Sequence, residues 1–338
     1  MNAADIYERV IRPVLFGLDP EMAHHFALGG LRAASRVPFA LRPLRAFQPP
    51  PKPKTVFGIN FPNPVGLAAG YDKNGVALPA WAALGFGFVE IGTVTAKAQR
   101  GNPRPRIFRY PEQQALINRL GFNNHGADVV AARLGALRRS GRLPRIPVGI
   151  NIGKSKVTPI EEAAEDYLCS FRLLHEFADY LVLNVSSPNT PGLRTLQEPD
   201  ALEELLRVIH KKNLITRKPV LLKIAPDLTL PELDQIIATC EEHGIVGIIA
   251  TNTTLDHAVI AESLDQTGGL SGLPLREKST ELVRAISARS RLPIIASGGI
   301  SDAASAQEKL EAGAQLLQLY TGYIYRGPGL LREIVEKI

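Results

Sequence analysis

The segment NVSSPNTPGLR, residues 184–194, holds the densest set of groups able to do chemistry. It places a hydroxyl, Ser187, just past an aliphatic run and follows it with a proline-bounded loop bearing Asn189 and Thr190. Polar groups in such a loop are held at the end of a strand rather than within it. INRLGFNN (117–124) and TNTT (251–254) add Asn118, Asn252 and Thr253. Asparagine offers a donor and an acceptor from one side chain, so these residues suit a flat, amide-rich ligand. Lys73, in AGYDKNG, would neutralise a carboxylate on that ligand.

Lys223 ends the aliphatic run VLLKI, and a lysine facing inward from such a run needs an anion beside it. A flavin ring, whose carbonyl region becomes anionic on reduction, is one such partner; Asp227, four residues on, is another. Asn151 and Asn184 lie at similar positions in their own aliphatic runs. No GxGxxG follows a strand, so dinucleotide binding in the Rossmann manner is not expected. Ser297-Gly298-Gly299, Thr321-Gly322 and Ser271-Gly272 instead form glycine turns of the kind that hold a phosphate after the seventh and eighth strands of a barrel. Taken one at a time, each of these turns could serve only to make a tight connection.

These groups need a frame, and the chain supplies a repeating one. Eight β-branched or aliphatic runs begin at Val65, Phe88, Pro147, Tyr180, Pro219, Gly247, Pro293 and Leu316. Stretches with helical periodicity lie between them, among them Ile160 to Ala178, Asp200 to Ile215 and Leu230 to His243. Eight β/α units favour an α/β fold of the (β/α)8 barrel type, because closure leaves no unpaired edge strand. The polar and glycine-rich residues all cluster where strands end, the face on which barrel enzymes build their sites.

The first 54 residues fall outside the repeat. Ala4 to Leu18 and Pro20 to Arg36 read as two helices, and the proline-rich stretch Gln48 to Lys54 links them to a barrel spanning 55–338. This extension is either a helical cap on the bottom of the barrel or a membrane-facing module. Val10, Ile11, Val14, Leu15, Phe16, Phe26, Leu28 and Leu31, with Arg9, Arg12, Arg32 and Arg36 nearby, suit the headgroup boundary of an anionic bilayer.

Composition narrows the field further. Apolar residues make up 45% of the chain and the mean hydropathy is +0.01, values typical of a globular protein. No run approaches the ~18–20 apolar residues of a membrane span. Cys169 and Cys240 have no metal-ligand spacing, so neither a metal site nor a disulfide framework is expected. The net charge of +6 is compatible with an anionic substrate, an anionic lipid surface or RNA.

From YERVIRPVLFGLDPEMAHHFAL at the N-terminus to YTGYIYRGPGL near the C-terminus, the ordered motifs resemble those of the quinone-linked, membrane-associated dihydroorotate dehydrogenases. The resemblance implies an FMN barrel that oxidises (S)-dihydroorotate to orotate in pyrimidine biosynthesis and passes the electrons to ubiquinone or menaquinone. It places the cofactor at Ala69, Gly70, Tyr71, Asp72, Lys73, Thr93, Asn151, Asn184, Lys223, Thr251, Gly272, Gly299, Tyr320 and Thr321. Substrate contacts fall on Lys73, Asn118, Arg119, Leu120, Gly121, Phe122, Asn184, Asn189, Asn252 and Thr253. Ser187 takes the place of the catalytic base, with Thr190 and Phe122 as the proton relay, and His24 and Arg109 contact the quinone in a tunnel beneath the N-terminal helices.

Three other readings are disfavoured. A soluble-acceptor relative would lack the helical extension and carry cysteine at Ser187. A flavin-dependent tRNA dihydrouridine synthase would need an RNA-binding module after the barrel, and no nucleic-acid partner is expected. A non-catalytic barrel would be expected to lose some of Lys73, Ser187 or Lys223, all of which are present. The expected location is peripheral, on the cytoplasmic side of the inner membrane if the host is bacterial, with no obligate partner subunit.

Overall fold

The computed structural model describes residues 6–338. Its centre is a closed, all-parallel barrel of eight strands: β1 Val65–Leu67, β2 Phe88–Val94, β3 Val148–Ile152, β4 Tyr180–Asn184, β5 Val220–Ile224, β6 Gly247–Ala250, β7 Ile294–Ser297 and β8 Leu316–Leu319. Each strand pairs with its sequence neighbours, and β8 closes on β1 through Leu317 opposite Val65. The eight runs read from the sequence are these eight strands. They were drawn a few residues too long, and the excess residues form the mouth of the barrel.

The period-two alternation of strand side chains sorts the residues. Val89, Ile91, Leu181, Leu183 and Leu222 face outward and pack under the surrounding helices, of which Ala163–Leu174, Pro199–Thr216 and Leu230–Glu242 match the expected stretches. Phe88, Tyr180, Val182, Leu221, Ile249, Ile295 and Leu316 face inward as a second apolar cluster. Gly66 and Gly149 leave room for the inward rings. A Cβ on either would fall 2.3 Å from Phe88 or 2.2 Å from Tyr180.

The bottom of the barrel is closed by a hairpin, Lys54–Val56 paired with Ile59–Phe61, which inserts Val56 and Phe61 into the inner cluster. The helical-cap reading of the N-terminal extension is therefore overturned: an element the sequence did not reveal already fills that place, and the helices dock at the opposite end. A wide turn, Tyr7–Ile11, runs into helix Arg12–Phe16, and helix Pro20–Ala34 starts at Asp19, whose carboxylate accepts from the Glu21 and Met22 amides. The expected first helix began at Ala4; residues 1–5 lie outside the described part.

Long-range bonds fix these helices to the mouth. Tyr7 donates to the Ile324 carbonyl at 2.7 Å, Arg12 to the Tyr325 carbonyl at 3.1 Å, and Arg326 meets Glu8 at 2.7 Å. Arg106 and Glu21, both buried, pair at 2.7 Å. A three-stranded antiparallel sheet forms the remaining wall. Ile107–Tyr110 and Ala115–Asn118 come from the loop after β2, and Gly269–Gly272 from the loop after β6. No described helix is long and apolar enough to cross a membrane.

Phe61 is fully buried in the plug, so Phe61→Ala should leave a cavity costing roughly 3–5 kcal/mol. Denaturant unfolding monitored by circular dichroism measures this directly. A loss below about 1 kcal/mol would show that the hairpin does not seal the core.

Candidate active site

Two residues further along most of the strands, the inward side chains change from apolar to polar. Val182 gives way to Asn184, Leu221 to Lys223, Ile249 to Thr251, Ile295 to Ser297, and Leu316 to Gln318 and then Tyr320. Above this layer opens a cavity of about 940 Å³, counted to its opening into solvent. Ala69, Gly70, Lys73, Thr93, Asn118, Leu120, Gly121, Phe122, Asn184, Ser187, Asn189, Lys223, Thr251, Asn252, Thr253, Gly272, Gly299, Tyr320 and Thr321 all line it. Most of the residues singled out from sequence therefore meet in one place.

Five of those expected at the cofactor, the substrate or the proton relay do not line it. Asp72 lies fully buried, where its carboxylate accepts from the Val76 and Ala77 amides and from Trp81 Nε1, tying the loop after β1 to its helix. Arg119 turns outward to the Pro105 carbonyl and Thr267 hydroxyl and lies over the Phe108 ring. Asn151 is buried beneath the floor, held by Thr93 and Glu90, and Thr190 is buried with no partner for its hydroxyl among the described residues. Tyr71 packs against His24, Trp81, Tyr320 and Tyr323.

A chain of polar contacts runs beneath the floor. Asn151 donates to Glu90 at 2.9 Å, Thr93 donates to Asn151 at 2.6 Å, and Asn184 donates to Thr93 at 2.8 Å. Asn252 then donates to Asn184 Oδ1 and to Ser186 Oγ. Glu90 also accepts from Gln318 at 2.5 Å. The sequence reading missed Glu90 and Gln318; an acidic residue in the middle of an aliphatic strand, FVEIGTV, was the available signal.

Lys223 is buried among these groups. Asp227, the partner considered from sequence, is instead held by Arg194 at 3.0 Å and Lys278 at 2.7 Å. The charge facing Lys223 is Glu90. Burial pushes the Lys223 ammonium down and the Glu90 carboxyl up, and each charge opposes the other's shift. Gln318 Oε1 has no partner among the described residues, so the floor offers both a cation and a free acceptor to a ligand. At one end, the turn Gly298-Gly299 lies against the first turn of helix Arg276–Arg289. A Cβ at Gly299 would fall 2.2 Å from Arg276 Cα, so only glycine fits this turn. Gly272 and Thr321 complete the cradle.

Ser187 is buried, and its oxygen accepts from the Asn189 amide at 3.3 Å. Asn189 Nδ2 donates to Asn118 Oδ1 at 3.3 Å, which joins two of the sequence motifs directly. Lys73 donates to Asn123 Oδ1 at 2.9 Å. Burial, reinforced by nearby Arg106, lowers its pKa to about 7.

A second cavity, of about 640 Å³, lies between the N-terminal helices and the barrel and meets the first at Asn118, Ser271 and Tyr320. Leu15, Phe16, Ala23, Ala27, Ile107 and Ile324 make it largely apolar. His24 and Arg109 both line it, as expected from sequence. Arg109 donates to the Phe16 and Leu18 carbonyls at 2.9 Å and lies over the Phe16 ring, while burial holds the His24 imidazole neutral, at about 3.

Sequence comparison extends these observations. The profile of the family described as dihydroorotate dehydrogenase matches residues 53–338. A dihydroorotate dehydrogenase (quinone) of Gloeobacter violaceus is 51% identical, the alignment covering 99% of this chain and 94% of that protein. One from Salinispora arenicola is 52% identical with 97% of each covered. Among solved structures, DHODH from Eimeria tenella in complex with ferulenol superposes with a TM-score of 0.85 at 38% identity, covering 96% of this chain and 93% of that one.

The Lys73 pKa carries a pH dependence. A ligand carboxylate binds the ammonium form, which in the free site is present below about pH 7 and lost above it. Affinity for a small anionic ligand should therefore fall as pH rises from about 7, approaching tenfold per unit. Fluorescence titration across that range, with Lys73→Met as the pH-insensitive control, checks this; a constant affinity in the native protein would contradict it.

Proposed function

The chain belongs to the dihydroorotate dehydrogenase family, and on that premise we propose specific roles for the residues that meet at the barrel mouth. The protein is an FMN-dependent oxidoreductase that converts dihydroorotate to orotate in pyrimidine biosynthesis and uses a quinone as electron acceptor. The observation that carries the assignment of roles is the pair of adjacent cavities sharing Asn118, Ser271 and Tyr320, one polar and anion-seeking, the other apolar. The floor of the first fits FMN: Lys223 and the free Gln318 acceptor suit a heterocycle edge, and the cradle at Gly272, Gly299 and Thr321 suits a phosphate. Bound there, FMN supplies a hydride acceptor that can also release electrons to a quinone.

The remaining roles fall to the chain's own groups. Lys73 binds the substrate carboxylate, and Asn118, Asn189, Asn252 and Thr253 hold the ring amides, fixing one face of the ring and excluding water. Ser187 removes the proton from the carbon next to the ring carbonyl. A serine hydroxyl is a weak base, so it needs support as charge develops on its oxygen. The Asn189 amide gives one such contact, and the Thr190 hydroxyl, which has no partner among the described residues, carries the proton away through a water. The quinone head takes the second cavity, beside His24 and Arg109.

Anaerobic mixing with dihydroorotate should bleach the flavin, and a short-chain ubiquinone analogue should restore its colour. Ser187→Ala should slow the bleaching by about 10²–10⁴-fold with FMN still bound. Full-rate bleaching in that variant would remove Ser187 as the base.

Membrane contact completes this reading. Val10, Val14, Met22, Phe26 and Phe39 are exposed on the N-terminal helices, near Arg9, Arg36 and Arg42. Leu15 and Phe16, included in the apolar face from sequence, instead line the second cavity, while Leu28 and Leu31 pack on the core. The exposed set suits the headgroup layer of an anionic bilayer, on the cytoplasmic side of the inner membrane in a bacterial host. Sedimentation with phosphatidylglycerol vesicles should lose most of the bound protein when Val14 and Phe26 are both changed to Asp, with bleaching by dihydroorotate unchanged. Equal binding of the variant would exclude this face.

A further inference from the structure

Helix Pro20–Ala34 separates two spaces. Ala23 and Ala27 border the apolar cavity, whereas Glu21, His25, Leu28, Gly29 and Arg32, spaced three and four apart, border a third cavity of about 820 Å³. This third space is polar. Its inner wall includes Lys73, Asn74 and Asn123, and its rim carries His25, Arg32 and His125, all exposed to solvent. His24 is the one residue of the helix that borders both spaces.

Reducing a quinone to a quinol adds two electrons and two protons, turning two C=O groups into two O–H groups. Dihydroorotate gives up one hydrogen as hydride, carrying both electrons and one proton, and the other as a proton taken at Ser187. Ser187 borders only the first cavity, so that second proton leaves on the substrate side. One proton for the quinol must therefore come in from solvent on the quinone side, across an apolar lining.

We propose that His24 passes this proton from the polar cavity to the quinone, a role that rests on the quinone reading of the apolar cavity. The other residues shared by the two spaces are Tyr71, Tyr320 and Ile107. Isoleucine carries no proton, and burial raises both phenols well away from neutrality. An imidazole accepts on one ring nitrogen and releases from the other, which suits a group set between two compartments. The charges facing His24 are Lys73 from the loop after β1 and His25 and Glu21 from its own helix, with Arg109 across the apolar cavity. Glu21 is committed to Arg106 and Arg104, which hold its carboxyl below the usual range, so it does not compete for the proton. Burial, reinforced by Lys73 and His25, keeps His24 from retaining one.

The test uses the FMN-loaded enzyme, reduced anaerobically with dihydroorotate and mixed with a saturating ubiquinone analogue or with ferricyanide, which takes electrons without protons. His24→Ala should slow reoxidation by the quinone at least tenfold and leave the ferricyanide rate unchanged, and added imidazole should restore the quinone rate. His24→Asn, which keeps a polar side chain of similar size, should lose the quinone rate to the same degree as His24→Ala. An unchanged saturating rate, a loss confined to the quinone KM, or a loss that imidazole does not restore would overturn the relay. A native enzyme that ferricyanide reoxidises and the quinone does not would instead overturn the quinone reading itself.

Discussion

Closing eight parallel strands into a barrel leaves an interior one side chain deep, and every other feature of this protein follows from how that narrow space is filled. Each inward position must be apolar where it meets the plug and can be polar only where the strands end. Phe61 and Val56 therefore sit beneath Phe88, Tyr180 and Leu221, and one step higher Asn184, Lys223 and Gln318 form the floor of a site. The same rule explains why Lys223 is tolerated. It stands in the layer where Glu90 faces it and an open cavity lies above.

Much of this was legible in the sequence because it is local. Aliphatic runs that end in polar or glycine-rich residues mark both a strand and its catalytic end, and all eight were visible. What was not legible depends on contacts between distant segments. Asn118 pairs with Gly269 across a three-stranded sheet whose strands are four residues each, too short to carry a period of their own. The docking end of the N-terminal helices was likewise hidden, since it is set by Arg106, Arg109 and Arg326 reaching Glu21, Phe16 and Glu8. Asp72 and Arg119 show the limit of carrying residues across by motif. Both lie inside the right motifs, yet one braces a loop and the other turns to the surface.

The N-terminal helices do more than present an apolar face. By standing off the barrel, helix Pro20–Ala34 creates an apolar space on one side and a polar, solvent-open one on the other. On the roles proposed for these spaces, electrons and protons reach the quinone from different directions. The first cavity borders both, sharing Asn118, Ser271 and Tyr320 with the apolar space and Lys73, Leu120 and Tyr320 with the polar one.

The most direct test of this arrangement is a crystal structure of the FMN-loaded protein with orotate and a quinone-head analogue bound together. The account predicts orotate between Lys73, Asn118 and Asn252 in the first cavity, and the analogue beside His24 and Arg109 in the second. Density for both ligands in one cavity, or for the analogue in the polar space beside His25 and Arg32, would contradict it.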